Sequence, residues 1–265
     1  MRILTDGFDL DDFFRRVTRV RGGCLLLDYD GTLAPFTEDR DKAFPYPGVR
    51  SLLNRIIESG RSRLILISGR ALRDLTPLLG LKHPAEMWGS HGRERLTPDG
   101  VYAAAELSAS SAQGIEDAKA WIAEAELSDR CEEKPAGLAL HTRGLDPNAA
   151  EKIHFRVERR LGIIAEEKGL ALHRFDGGVE LRVPGVNKGN AVKTVLNEMG
   201  NDRPTAYLGD DLTDEDAFKA VKGRGVGALV RPEFRPTAAD VWLKPPDELI
   251  DFLDRWLVAS GGTHG

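Results

Sequence analysis

Cys24 to Leu27 is a continuous apolar run, and it ends in Asp28-Tyr29-Asp30-Gly31-Thr32, so a segment suited to full burial delivers two carboxylates at its end. An apolar run of strand length with a glycine just beyond it reads as a buried strand leaving its sheet. In open α/β sheets, ligands bind outside the carboxyl ends of the strands. Residues i and i+2 of an extended segment point the same way, so Asp28 and Asp30 crowd together unless the turn re-aims the second. Two anions that close raise one pKa unless a cation lies beside them, and a divalent metal is the simplest remedy.

The elements around this strand alternate as an α/β sheet requires. Leu10, Phe13, Phe14 and Val17 recur at helical spacing. Pro47 starts a helix carrying Val49, Leu52, Leu53, Ile56 and Ile57, Gly60 ends it, and Leu64 to Ile67 forms a second apolar strand closed by Ser68-Gly69-Arg70. Strand, helix, strand is a βαβ unit. The alternation resumes after residue 185 with a helix bearing Val192, Val195, Leu196 and Met199, then a strand over Thr205 to Leu208 ending in Gly209-Asp210-Asp211. Short strands at Val226 to Val230 and Val241 to Leu243 and a helix over Leu249 to Leu257 complete it.

The middle reads differently. A helix near Ala109 to Leu127, a hairpin from Cys131 to Arg143, a helix near Pro147 to Lys168 and a hairpin from Leu170 to Val183 are expected, with turns at Pro135-Ala136-Gly137 and Asp176-Gly177-Gly178. The expected organisation is therefore a core of residues 1–92 and 184–265 with an α+β insertion over residues 93–183.

Composition narrows the function classes. A net charge of −5 argues against a general nucleic-acid binder, which shows a basic surplus or stripe. Cys24 and Cys131 form no CxxC pair, the N-terminal segment lacks the apolar stretch of a signal peptide, and no apolar run approaches the roughly 20 residues that span a bilayer. The expectation is a cytoplasmic monomer that acts on a small molecule, without membrane or nucleic-acid partners. No G-x-x-x-x-G-K-[ST] occurs, Gly31 is misplaced for an EF-hand, Gly223, Gly225 and Gly227 are wrongly spaced for a dinucleotide fingerprint, and no H-x-x-x-H pair suggests zinc.

Four places carry candidate chemistry: Asp28 with Asp30; Ser68 with Gly69; Lys188; and Asp210, Asp211 and Asp214. Singly, each has a plain structural explanation as a solvated turn, an ordinary Ser-Gly turn, or an acid-rich helix start. Their recurrence at strand ends, with Lys188 at a helix start where backbone N–H groups favour a phosphate, is not explained that way. One anion and one metal would satisfy every charge.

Asp28-Tyr29-Asp30-Gly31-Thr32, Ser68-Gly69-Arg70, Asn187-Lys188-Gly189 and Gly209-Asp210-Asp211 together resemble the four motifs of the haloacid dehalogenase (HAD) superfamily of phosphatases, and the insertion is similar to that superfamily's α/β cap. Within it, Gly89-Ser90-His91-Gly92, Cys131-Glu132-Glu133-Lys134, Leu138 to Arg143, Val179-Glu180-Leu181-Arg182 and Gly209 to Glu215 resemble the trehalose-6-phosphate phosphatase family. Thr142 stands where that family often has Tyr, and Val183 separates Arg182 from Pro184 where the family often has the proline directly.

The resemblance implies a Rossmann-like HAD core with a mostly parallel sheet, hydrolysis of trehalose 6-phosphate in trehalose biosynthesis, and Mg²⁺ as cofactor. It implies Asp28 as nucleophile, Asp30 as general acid and base, and Ser68, Gly69 and Lys188 on the phosphoryl oxygens. Mg²⁺ would be held by Asp28, Asp210, the main-chain carbonyl of Asp30, and Asp211 or Asp214 through water, an oxygen-only set that suits a hard ion. Glu132, Lys134, His141, Arg143, Glu180 and Arg182 would recognise sugar hydroxyls, and cap closure would exclude water. Alternative expectations are another sugar phosphate, such as sucrose phosphate or a mannosyl phosphoglycerate, a phosphorelay receiver, and a catalytically inactive sugar-phosphate sensor.

Overall fold

The computed structural model describes residues 1–37, 39–134, 136–175, 177–185, 187–200 and 202–262; Pro135 and Asp176 of the two expected turns lie outside the described residues. In chain order the elements begin with β1 (Arg2–Ile3), α1 (Leu10–Val20), β2 (Cys24–Leu27), α2 (Val49–Glu58), β3 (Arg63–Ile67), α3 (Leu72–Leu79), β4 (Glu86–Gly89), β5 (Glu94–Leu96) and β6 (Tyr102–Ala104). Next come α4 (Ala109–Glu124), β7 (Cys131–Lys134), β8 (Gly137–His141), α5 (Pro147–Lys168), β9 (Ala171–Phe175) and β10 (Gly178–Arg182). The chain closes with α6 (Lys188–Met199), β11 (Thr205–Gly209), α7 (Glu215–Val221), β12 (Gly225–Val230), β13 (Val241–Leu243) and α8 (Asp247–Ala259).

These elements form two compact units, Met1–Ala103 with Asn187–Gly265, and Ala104–Val186. The first holds a sheet of order β1-β13-β12-β11-β2-β3-β4-β5-β6, parallel from β13 to β4. β5 pairs antiparallel with β4 through Met87 and Leu96, which continues this sheet past residue 92. The compact units accordingly divide at residue 104 rather than at 93.

Period-two alternation splits each central strand between two cores. Leu25, Leu27, Leu64, Leu66, Ala206 and Leu208 join Phe13, Phe14, Leu53, Phe252 and Trp256, whereas Cys24, Leu26, Ile65, Ile67 and Tyr207 join Val192, Val195, Phe218 and Val221. Helices thus cover both faces, which is why the parallel strands read as unbroken apolar runs. On one face, the Asp9 side chain caps α1 by accepting from the amides of Asp11 and Asp12 at 2.8 and 3.0 Å. The helix then packs Phe13 against Trp256 and Phe14 against Phe252, with ring centroids 6.1 and 5.2 Å apart.

α3 and β4 complete a second βαβ unit that the sequence reading did not contain. Pro77 within α3 obscures the helical Leu72, Leu75, Leu78, Leu79 stripe, and Glu86 interrupts the apolar signal of β4. Glu86 is nevertheless buried, because Arg63 of β3 donates to both its oxygens at 2.8 and 3.0 Å and Arg95 of β5 donates to Oε1 at 3.0 Å.

β2 lies between β3 on one side and β11 on the other, so the windings part at its carboxyl end, the topological switch point where such sheets bind ligands. Asp28, Ser68 and Asp210 follow these three neighbouring parallel strands at the same end.

The second unit has its own sheet, antiparallel and of order β7-β8-β10-β9. Leu138, Leu140, Val179 and Leu181 face Ile115, Ile122, Val157 and Leu161 of α4 and α5, forming a separate core. No helix among the described residues is long and apolar enough to cross a membrane.

Candidate active site

The turn after β2 separates the two acids that open the sequence. The Asp28 amide continues the ladder by donating to Leu208 O at 2.9 Å, and the chain then curls so that Leu33 and Ala34 amides donate back to Tyr29 O at 2.9 and 3.1 Å. Gly31 is required at the bend: its φ is +81°, and a Cβ there would lie 2.2 Å from Asp210 Oδ2. Asp28 stays buried, with Thr32 Oγ1 donating to its Oδ2 at 3.1 Å. Asp30 turns toward Arg70, whose Nε and Nη2 donate to Oδ2 and Oδ1 at 2.7 and 2.6 Å. Such a fork on a carboxylate is a strong, geometry-fixing contact.

Lys188 is the cation at the centre. The Asn187 side chain caps α6 by accepting from the Asn190 amide at 2.8 Å, which starts the helix with Lys188 pointing into the sheet end. Its Nζ donates to Asp28 Oδ1 at 2.6 Å and to Asp214 Oδ1 at 2.7 Å. Burial works against the ammonium, but the charges of Asp214 and Asp28 outweigh it and hold the Lys188 pKa above the usual lysine range.

One lysine does not balance the acids. Burial pushes the Asp28 carboxyl up to about 7, against the lowering effect of Lys188 and with help from Asp214 and Asp30. Burial, followed by the charges of Asp28, Asp214 and Asp211, also raises Asp210 well above the ordinary carboxylate range. Among the described residues, both Asp210 oxygens are buried without a hydrogen-bond partner. A buried carboxylate in that condition is costly unless a cation meets it. Asp28, Asp210 and Asp214 each offer an oxygen within 4.8 Å of the others, so the donor set fits a hard divalent cation such as Mg²⁺.

The three acids after β11 have unequal surroundings. Asp214 Oδ1 accepts from Lys188 and the Tyr207 hydroxyl, and Oδ2 accepts from the amides of Asp210 and Asp211 at 3.0 and 2.9 Å. Asp214 is therefore fully engaged in holding Lys188 and the loop. The Asp211 side chain accepts from the Leu212 amide at 2.7 Å as the cap of a short 3₁₀ turn. Asp210 presents its carboxylate to Asp28.

At the end of β3, Ser68 is fully buried, its amide donates to Trp88 O at 2.8 Å, and its Oγ accepts from the Arg70 amide at 3.1 Å. His91 packs over Gly69 so closely that a Cβ on the glycine would lie 2.7 Å from the imidazole. The turn carrying His91 is itself strained, with φ of +48° at Ser90 and +58° at His91. It grips the Ser68 loop through Ser90 N to Arg70 O at 2.7 Å and His91 N to Ser68 O at 2.9 Å.

Sequence reasoning assigned no role to Thr32, Arg70 or Tyr207. Arg70 carried a readable signal, a cation two residues beyond a strand-end serine, whereas Tyr207 lies within an apolar strand and reads as core.

In the second unit, the strand register places Glu132, Ala139, Glu180 and His173 in one row across the sheet and Lys134, Gly137 and Arg182 in the next. Paired positions share a face, so Glu132, Lys134, His141, Glu180 and Arg182 lie together opposite the apolar face. His141 Nε2 and Glu132 Oε2 are 3.0 Å apart, and Glu180 accepts from Lys134 at 2.8 Å and Arg182 at 3.4 Å. Arg143 lies beyond β8, against the β9–β10 turn, where a Cβ on Gly177 would come 3.2 Å from its Nε. His173 belongs to the same polar face and was absent from the sequence reading.

The trehalose-phosphate phosphatase of Mycobacterium ulcerans is 32% identical over 250 residues, covering 87% of this chain and 60% of that protein. The chain thus spans about three fifths of the length of this curated relative. The C-terminal domain of C. albicans trehalose-6-phosphate phosphatase superposes with a TM-score of 0.80 at 21% identity over 99% of this chain and 100% of that one, which shows a shared fold. A trehalose-6-phosphate phosphatase related protein gives 0.68 at 26% identity over 87% of this chain and 95% of its own. The sequence model for trehalose-phosphatase matches residues 26–241, a span that takes in the end of β2 with the two acids that follow it, the whole second unit, Lys188 and the acidic loop after β11. The chain belongs to the trehalose-phosphatase family.

Proposed function

We propose that this chain hydrolyses trehalose 6-phosphate to trehalose and inorganic phosphate through a phosphoryl-aspartate at Asp28. The observation that carries this reading is the pairing of Asp28 with the buried Lys188 beside a buried, unpartnered Asp210 carboxylate. A purely structural cluster would have satisfied that carboxylate.

In the first step an Asp28 oxygen attacks phosphorus, the bond from phosphorus to the sugar oxygen breaks, and Asp30 gives its proton to the departing oxygen. In the second step Asp30 takes a proton from water, the water oxygen attacks phosphorus, and the Asp28 carboxylate leaves. Arg70 orients Asp30 through one of its two contacts while the carboxyl carries its proton and through both once it is ionised. Ser68, the Gly69 backbone and Lys188 bind phosphoryl oxygens, and Asp214 with Tyr207 keeps the Lys188 ammonium in place. Asp28 and Asp210 would hold Mg²⁺, which when bound offsets negative charge between carboxylate nucleophile and phosphate.

The polar face of the second unit, with Glu132, Lys134, His141, Glu180 and Arg182, and with Arg143 at its margin, supplies hydroxyl recognition for the disaccharide. Its mixed donors and acceptors suit a neutral polyol. The decisive assay is phosphate release from a panel of sugar phosphates in the presence of Mg²⁺. Turnover of trehalose 6-phosphate well above sucrose 6-phosphate and glucose 6-phosphate is expected; equal rates on all would overturn the substrate assignment, and no release from any would overturn the phosphatase assignment.

A further inference from the structure

The backbone of Asp210 and Asp211 is held from two sides. Both amides donate to Oδ2 of Asp214. Both carbonyls accept from arginines on the β12–β13 connection: Arg235 Nη2 donates to Asp211 O at 2.7 Å and to Asp210 O at 3.3 Å, and Arg231 Nη1 donates to Asp210 O at 3.3 Å. Arg235 is itself tethered by Glu215, whose carboxylate also accepts from Thr237 Oγ1 at 2.8 Å and the Ala238 amide at 2.7 Å. The two side chains are 15% and 18% exposed, so the pair is shielded from bulk water. With every backbone group of the two residues engaged, what the loop presents inward is the buried Asp210 carboxylate, neither oxygen of which has a hydrogen-bond partner among the described residues.

We propose that Arg235 is a positioning residue for the divalent-cation site, fixing the Asp210–Asp211 carbonyls so that the Asp210 carboxylate faces Asp28 before any ion arrives. This rests on the cation reading above. The planar guanidinium suits this place because its separated nitrogens span two successive carbonyls while keeping the carboxylate tether; a lysine ammonium carries its three donors on one atom and lacks that fork. Groups that orient ligands without touching the ion set its affinity, and their loss typically weakens binding by about ten- to a hundred-fold.

The test uses the full chain and Mn²⁺ as probe, with uptake followed by loss of the free-ion EPR signal and competed by Mg²⁺. Arg235→Met is expected to weaken Mn²⁺ binding by about ten-fold or more, Arg235→Lys to recover part of the loss, and KM for sugar phosphate at saturating cation to stay unchanged. Should Arg235→Met fail to fold, Glu215→Gln, which loosens the tether and leaves the guanidinium, is expected to weaken Mn²⁺ binding several-fold. Wild-type affinity in Arg235→Met, or in Glu215→Gln in its place, overturns the proposal. Absence of Mn²⁺ uptake by the wild-type chain overturns the cation reading itself, and the brace with it.

Discussion

Lys188 Nζ donates to Asp28 Oδ1 at 2.6 Å, although the two residues lie 160 positions apart and both are buried. The same ammonium reaches Asp214, so a single positive charge holds together the ends of β2 and β11 and the start of α6. Removing one partner of a buried ion pair leaves the other charge uncompensated and typically costs about 3–5 kcal/mol. Lys188→Ala should lose about that much stability in urea denaturation and lose phosphatase activity; a variant as stable and active as wild type would contradict the central place given to this contact.

Chelation should act on the fold as well as on the rate. The unpartnered Asp210 carboxylate beside Asp28 is a liability that a bound cation relieves. An ion at 100 times its dissociation constant stabilises the native state by about 2.7 kcal/mol. Thermal unfolding with EDTA and with excess MgCl₂ should therefore differ by several degrees, the Mg²⁺ sample melting higher, and Asp210→Asn should abolish most of that difference.

Much of this was legible in the sequence because burial writes itself as pattern. Two-sided burial makes β2, β3 and β11 largely apolar runs, and the polar residues that follow them, Asp28, Ser68 and Asp210, stand out against that background. Their spacing along the chain could not show that Asp30 turns away to Arg70, nor that Asp214 spends both oxygens on Lys188, Tyr207 and two amides. Those outcomes depend on a tight turn at Gly31 and on a hydroxyl hidden in a core strand. β4 was hidden for a related reason: the buried Glu86 looks polar until Arg63 and Arg95 are seen beside it.

The Arg70 guanidinium forks onto the Asp30 carboxylate. Positioned general acid–base catalysis contributes about 10²–10⁴-fold, and the contribution matters most when the leaving oxygen is a poor one. In single-turnover experiments Arg70→Met should slow phosphoryl transfer from the sugar phosphate by about 10²-fold while slowing transfer from p-nitrophenyl phosphate much less. Equal losses on both substrates would place Arg70 outside the proton-transfer step.

The second unit should govern which alcohol is accepted. Lys134 and Arg182 flank Glu180 on the polar sheet face, where a sugar hydroxyl could exchange with either contact. Lys134→Ala should raise KM for trehalose 6-phosphate by about ten-fold, equivalent to about 1.4 kcal/mol, with little change for p-nitrophenyl phosphate. A parallel loss on both would mean that the face stabilises the fold rather than reading the sugar.

A carboxylate oxygen of Asp28 is the proposed acceptor of the phosphoryl group. Rapid acid quench during turnover of trehalose 6-phosphate, followed by borohydride reduction and peptide mass analysis, reports that bond directly. The prediction is conversion of Asp28 to homoserine in the wild-type chain, with no such product in Asp28→Asn and no phosphate release from that variant. Steady phosphate release with Asp28 unmodified throughout, or with Asp28→Asn still active, would contradict it.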